Sequence, residues 1–169
     1  MKIRSSRRRR SGQALAEFAI AFPVLILILL AVFDVGRAVF VYNNLTNAAR
    51  EGARLAIVNQ DKGLVRDRVQ ALSFAGPLSN AGNLNDLVTF RFQNPNQLDP
   101  TANAECTSMA VGCVAVVTAR SDWRAITPII GNIIGPIQFV ARTELPIELV
   151  CPNPAIPAYA TVTSCPRQP

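Results

Sequence analysis

Histidine is missing from all 169 residues. Its absence removes the usual base of a Ser or Cys triad and the commonest nitrogen ligand of zinc. The four cysteines, Cys106, Cys113, Cys151 and Cys165, include no C-x-x-C pair, so a metal centre would have to draw on all four thiols at irregular spacing. No Gly-rich phosphate loop occurs, and the Asp and Glu residues are scattered. Together these gaps describe a chain that is not an enzyme and that carries no cofactor or metal. Acid is also lacking from the first 16 residues, whereas Lys2, Arg4, Arg7, Arg8, Arg9 and Arg10 crowd there. Beyond these, basic and acidic residues balance, so the net charge of +6 belongs to a short leader. A nucleic-acid partner would need basic side chains spread over a folded face, and none is expected.

The leader gives way to a hydrophobic run. Residues 14–33 hold a single charge, Glu17, and residues 18–33 hold none. As a helix this stretch rises about 30 Å, the thickness of a bilayer's hydrocarbon layer. Arginines before it and Asp34-Val-Gly-Arg37 after it predict one crossing, with the N-terminus cytoplasmic and the C-terminus outside the cytoplasm. A cleaved signal peptide would have a shorter apolar core ending in a small-x-small site, of which Gly36-Arg37-Ala38 is a poor version. A twin-arginine signal would need an apolar residue at an offset the arginine run does not offer.

The apolar pattern continues past the membrane boundary. Val39, Tyr42, Leu45, Ala49, Gly52 and Ala56 recur at spacings of three and four, with no breaker before Asn59 and Gln60, which predicts one helix over residues 14–58. Such a helix is about 68 Å long, so its second half must pack outside the bilayer. Ala48, Gly52 and Ala56, flanked by Ala49 and Ala53, form a smooth strip that lets another backbone approach closely. Two partners fit this strip: the chain's own domain, or the helix of another subunit. Asp34 with Arg37, and Glu51 with Arg54, read as pairs along the helix surface. The Asn44-Leu-Thr46 sequon falls inside the helix and reads as coincidental.

Glu17 is the informative residue. A carboxylate inside an apolar helix costs about 2.5–3.5 kcal/mol on insertion scales, and nothing near it supplies a positive charge. A cut after Gly12 would give Gln13 a free amine, and Glu17 would then stand fifth in the chain. The amine of one subunit would neutralise the carboxylate of its neighbour. Without the cut, Glu17 would snorkel toward the cytoplasmic headgroups. Pro23 removes one helix hydrogen bond and marks either a bend or one of the prolines that membrane helices tolerate.

The arginine-rich leader, Gly12, and Gln13-Ala-Leu-Ala-Glu17 opening the apolar helix together resemble the prepilin peptidase site of type IV pilin-like proteins. The longer run is closer to one family. Gly12-Gln-Ala-Leu-Ala-Glu-Phe-Ala-Ile-Ala-Phe-Pro23, an aliphatic stretch, Asp34-Val-Gly-Arg37 and Asn47-Ala-Ala-Arg-Glu-Gly-Ala-Arg54 resemble the TadE-like family of the tight-adherence (Flp) pilus systems. Phe18 stands where Flp prepilins usually carry Tyr, and Gln13 where type II pseudopilins usually carry Phe. The resemblance implies a minor pilin or pseudopilin, anchored in the bacterial inner membrane and associated with the pilus. It would be cut between Gly12 and Gln13 by a prepilin peptidase and would work with other pilin-like subunits and the Tad machinery in Flp pilus assembly or secretion. The alternative is an uncleaved, signal-anchored domain that binds a ligand of the cell envelope.

Beyond the helix the period changes. Leu64, Val65, Arg68, Val69 and Leu72 predict a short amphipathic helix capped by Asp61 and ending near Gly76-Pro77. Val88, Phe90 and Phe92 alternate as in a strand, residues 114–120 and 137–148 form two more β-rich runs, and Pro146 marks the last as an edge or bulged strand. Residues 123–134 read as a loop with a short helix, near the membrane or covering the sheet. The expected fold is α+β and pilin-like: a long N-terminal transmembrane helix carrying a small domain with an antiparallel sheet of three or four strands. The expected divisions are a basic cytoplasmic leader (1–12), the extended helix (13–58), the extracytoplasmic α+β domain (59–150) and a Pro-rich, disulfide-bearing tail (151–169). An even cysteine number after an export segment favours disulfides. Three connectivities exist, and Cys106 with Cys113 plus Cys151 with Cys165 close the shortest loops.

Overall fold

The computed structural model describes residues 8–74, 76–92, 105–106 and 112–166. Lys2, Arg4 and Arg7 of the leader and Pro169 of the tail lie outside them. The first element, α1, runs unbroken from Arg8–Ala56 through Pro23. It begins earlier than the apolar pattern predicts and stops two residues sooner. Its N-terminal half is long and apolar enough to cross a membrane, and almost none of that half is covered by the rest of the chain. From Val41 onward the helix enters the core, where Leu45, Ala48, Ala49, Ala53 and Ala56 are buried.

A turn leads into α2, Lys62–Leu72. The Asp61 carboxylate accepts the Gly63 and Leu64 N–H groups at 2.8 and 3.2 Å, satisfying donors that the first turn leaves free. This helix ends at Leu72, before Gly76-Pro77, and buries Val65 and Val69. A single turn, α3 (Leu84–Leu87), capped by the Asn83 side chain, then delivers the chain to β1, Val88–Phe92. Strand β2 spans Cys113–Trp123, a second short helix α4 spans Pro128–Ile134, and β3 spans Ile137–Pro146.

The sheet has three antiparallel strands in the order β1-β2-β3. Inward residues alternate as the pleat requires: Val88 and Phe90 of β1, Ala115, Val117 and Ala119 of β2, and Ala141 of β3 meet α1 and α2 in one cluster. Both helices lie on this one face, giving a two-layer α+β domain with α1 against β2 and β3. Pro146 ends an edge strand, where its missing N–H costs no ladder bond.

Strand β2 runs three residues past the end expected from the sequence pattern, and β3 stops two residues short of its own. Trp123 is the last residue of β2 and pairs with Ile137, so the connector begins at Arg124. β2 outlasts β1 beyond Val117, and the edge thus bared is covered from the side. The Asn80 amide donates to the Thr118 carbonyl at 2.7 Å and its oxygen accepts the Arg120 N–H at 3.1 Å, while the Ser79 N–H reaches the Arg120 carbonyl at 2.8 Å. Asn80 and Ser79 thereby take the place of a fourth strand.

Candidate functional site

The candidate residues on α1 fall at three heights. Near its N-terminal end, Gln13 and Glu17 stand one helical turn apart and exposed. The Gln13 amide donates to the Glu17 carboxylate at 3.0 Å. The intact chain therefore gives Glu17 a neutral donor from its own helix, a contact that looking for a charged partner overlooks. Gly12, one residue earlier, has open space around its Cα.

At the far end lies the strip of small residues. Ala48, Ala49, Gly52, Ala53 and Ala56 are all buried beneath the chain's own sheet and α2. Gly52 is the tightest point, because a Cβ there would overlap a Val69 methyl and touch Val117 and Val65. Of the two partners that fit the strip, the one seen against it is the chain's own domain. Arg54 and Glu51 pair on the exposed side at 2.9 Å.

Between these ends is a junction that helical spacing misreads. Asp34 does not act as a surface partner of Arg37. It turns inward and is almost fully covered, and its two carboxylate oxygens each accept a backbone N–H from the β2–β3 connector, Ile126 and Thr127, both at 3.0 Å. The Thr127 hydroxyl, these two N–H groups and the nearby Arg37 charge hold the Asp34 carboxyl below the usual aspartate range, against the opposing push of burial. Arg37 instead lies over the Trp123 ring, 5.8 Å from its centroid, and donates to the Arg124 carbonyl at 3.4 Å. Phe139 packs against both Trp123 and Tyr42, closing the base of the domain on α1.

The cysteines pair as Cys106–Cys113 and Cys151–Cys165. The first bridge ties β2 to the segment beside β1, where the Cys106 N–H also reaches the Phe90 carbonyl at 3.0 Å. The second closes the tail onto itself. That tail is held to the domain by Asn59 and Gln60, the pair that marks the end of the helix in sequence. The Gln60 amide donates to the carbonyls of Ala56 and Leu149 at 3.0 and 2.9 Å, and its oxygen accepts the Cys151 N–H at 2.6 Å. The fully buried Asn59 donates to the Pro166 carbonyl at 3.1 Å. Neither role leaves a local signal; two polar residues ending an apolar helix look like a stop and nothing more.

Among the described residues no three His, Cys, Asp or Glu side chains gather in a way that could hold a metal ion. The arrangement is that of an apolar rod with an acid near one end and a domain clamped to the other. Comparison with known proteins gives one finding: residues 12–54 match the model of the family described as TadE-like protein. The match opens at the glycine before Gln13 and closes within the last turn of α1. No curated protein and no solved structure matches the chain.

Proposed function

We propose, from the premise that residues 12–54 are TadE-like, that the chain is a minor pilin or pseudopilin serving Flp pilus assembly or Tad secretion. The observation that carries this reading is the coincidence of the family match with a single uninterrupted helix whose first half is left bare. A bare apolar helix wants lipid or other helices, and pilin-like assembly uses both. In this reading α1 spans the inner membrane with the leader inside and the domain outside. A prepilin peptidase cuts between Gly12 and Gln13. The new amine at Gln13 replaces the neutral amide donor with a charge, and the Glu17 of an adjacent subunit, costly to leave unpaired among hydrocarbon, accepts it. Other pilin-like subunits and the Tad machinery are the partners. Because the small-residue strip is filled by the chain's own domain, subunits meet along the part of α1 before Val41.

Two measurements test this. Mass spectrometry of protein purified from cells with the cognate peptidase should give a chain starting at Gln13; an intact Met1 or Lys2 terminus refutes the cut. Glu17→Ala should still insert but should lose most crosslinking to pilin-like subunits. Undiminished crosslinking and pilus number would refute the assembly role.

A further inference from the structure

We propose that the β2–β3 connector, residues 124–136, is a second membrane contact: an apolar foot that settles into the headgroup layer beside α1. The proposal rests on α1 crossing the bilayer, and on three observations that place the connector at its surface.

The first is direction. The β2–β3 hairpin lies along α1, and its two ends are fixed at different heights. At one end the N–H groups of Glu148 and Leu149, just past β3, donate to the Ile57 carbonyl at 3.1 and 3.0 Å. At the other the last rung, Trp123 with Ile137, sits beside Arg37. The connector projects beyond that rung, back along α1 toward the apolar half.

The second is height. Asp34 is the first charge after the uncharged run of residues 18–33, so it marks where the helix leaves hydrocarbon. Its carboxylate holds the Ile126 and Thr127 N–H groups. The connector is therefore pinned at the membrane boundary, and α4 begins there.

The third is chemistry. Ile126 and Ile133 are 71% and 78% exposed, and Ile134 is also uncovered. On α1 at the same height Phe33 and Val35 are equally bare. With the Ile126 N–H bonded to Asp34, which stands between Phe33 and Val35, the two sets expose apolar side chains at one height, next to the bare half of α1. The backbone of the foot is prepared for a drier setting. Pro128 and Pro136 have no N–H, and the Gly131 and Gly135 N–H groups are taken by Thr127 and Gly131 carbonyls at 2.8 and 3.1 Å. Asp34 has its donors already, and the exposed Arg37 and Arg124 are placed to reach headgroup phosphates. An interfacial helix of this kind sits about 5–10 Å into the headgroup and acyl boundary.

The test uses the full chain in vesicles containing lipids with a nitroxide near the glycerol. Ile133→Cys, labelled with a small fluorophore while both native disulfides stay closed, should lose severalfold of its emission. Ile134→Cys repeats the measurement. Val162→Cys, in the tail held at the far end of the domain, should keep its emission. Phe22→Cys, read in parallel vesicles whose lipids carry the nitroxide deep in the acyl chain, reports on the span. Quenching at 22 but no more at 133 or 134 than at 162 overturns the foot alone. Quenching at none of them overturns the span, and the foot with it. A label at 133 that nitroxide does not reach, but that becomes shielded from aqueous iodide as protein-to-lipid ratio rises, marks contact with a second copy and also overturns the proposal.

Discussion

Replacing Gly52 by alanine would put a methyl group where the Val69 side chain already stands. Val69 is fully buried and β-branched, so it has neither space nor an easy rotamer to yield. Overpacking of this kind costs about 1–3 kcal/mol, and the stiffness of Val69 puts the cost toward the upper end. Alanine returns about 1 kcal/mol through its better helix propensity. The net loss is then about 1–2 kcal/mol, which for a domain of roughly 100 residues lowers the melting temperature by about 5–15 °C. Val69→Ala alone removes two buried methyl groups, worth about 1.6 kcal/mol in transfer, and leaves a cavity besides. In that background the Gly52→Ala methyl enters the cavity and the sign reverses: the second substitution should raise the melting temperature by about 4–8 °C. Thermal unfolding of the full chain in detergent, followed through the lone tryptophan, Trp123, reads all four corners of the cycle. The reasoning fails if Gly52→Ala alone melts at or above the parent, or if it shifts melting equally with and without Val69.

Lowering the pH should release the connector. Because the Asp34 carboxyl is held below its ordinary range in the folded chain, its contribution is complete above that range and is lost as pH falls through the lower folded value, below about pH 4. Hydrogen-exchange protection at Ile126 and Thr127 should fall there while Ser79, bonded to the Arg120 carbonyl, keeps its own; equal behaviour of the three refutes the link. Asp34→Asn should show the same loss already at neutral pH. Gln60→Ala strips partners from the Leu149 carbonyl and the Cys151 N–H, so it should cost about 2 kcal/mol and speed reduction of Cys151–Cys165 relative to Cys106–Cys113. An unchanged ratio of the two reduction rates would show that the tail stands without this clamp.

Much of the architecture can be read from residue order because its causes are local or periodic. The apolar half of α1 announces itself by composition, Asp61 by standing just before an amphipathic stretch, and β1 by the alternation of Val88, Phe90 and Phe92. The small-residue strip is also visible, but not its partner, since Ala48, Gly52 and Ala56 admit any close backbone. Asp34 is misassigned for a related reason. Its true donors lie 92 and 93 residues away, whereas Arg37 stands three residues on and is the only partner that helical spacing displays. Asn80 escapes notice because a side chain imitating a strand has no pattern of its own. The site's polar logic is long-range; its apolar frame is not.

Between the bare apolar half of α1 and the core there is no linker, only more helix. A tethered domain would sweep a volume; this one has a bearing. The compass direction of the sheet relative to Glu17 is set by the number of residues between Glu17 and Ala48, and one inserted residue would swing the domain by about 100° and lift it by about 1.5 Å. Whatever grips the lower helix from one side thereby decides which way the upper face looks.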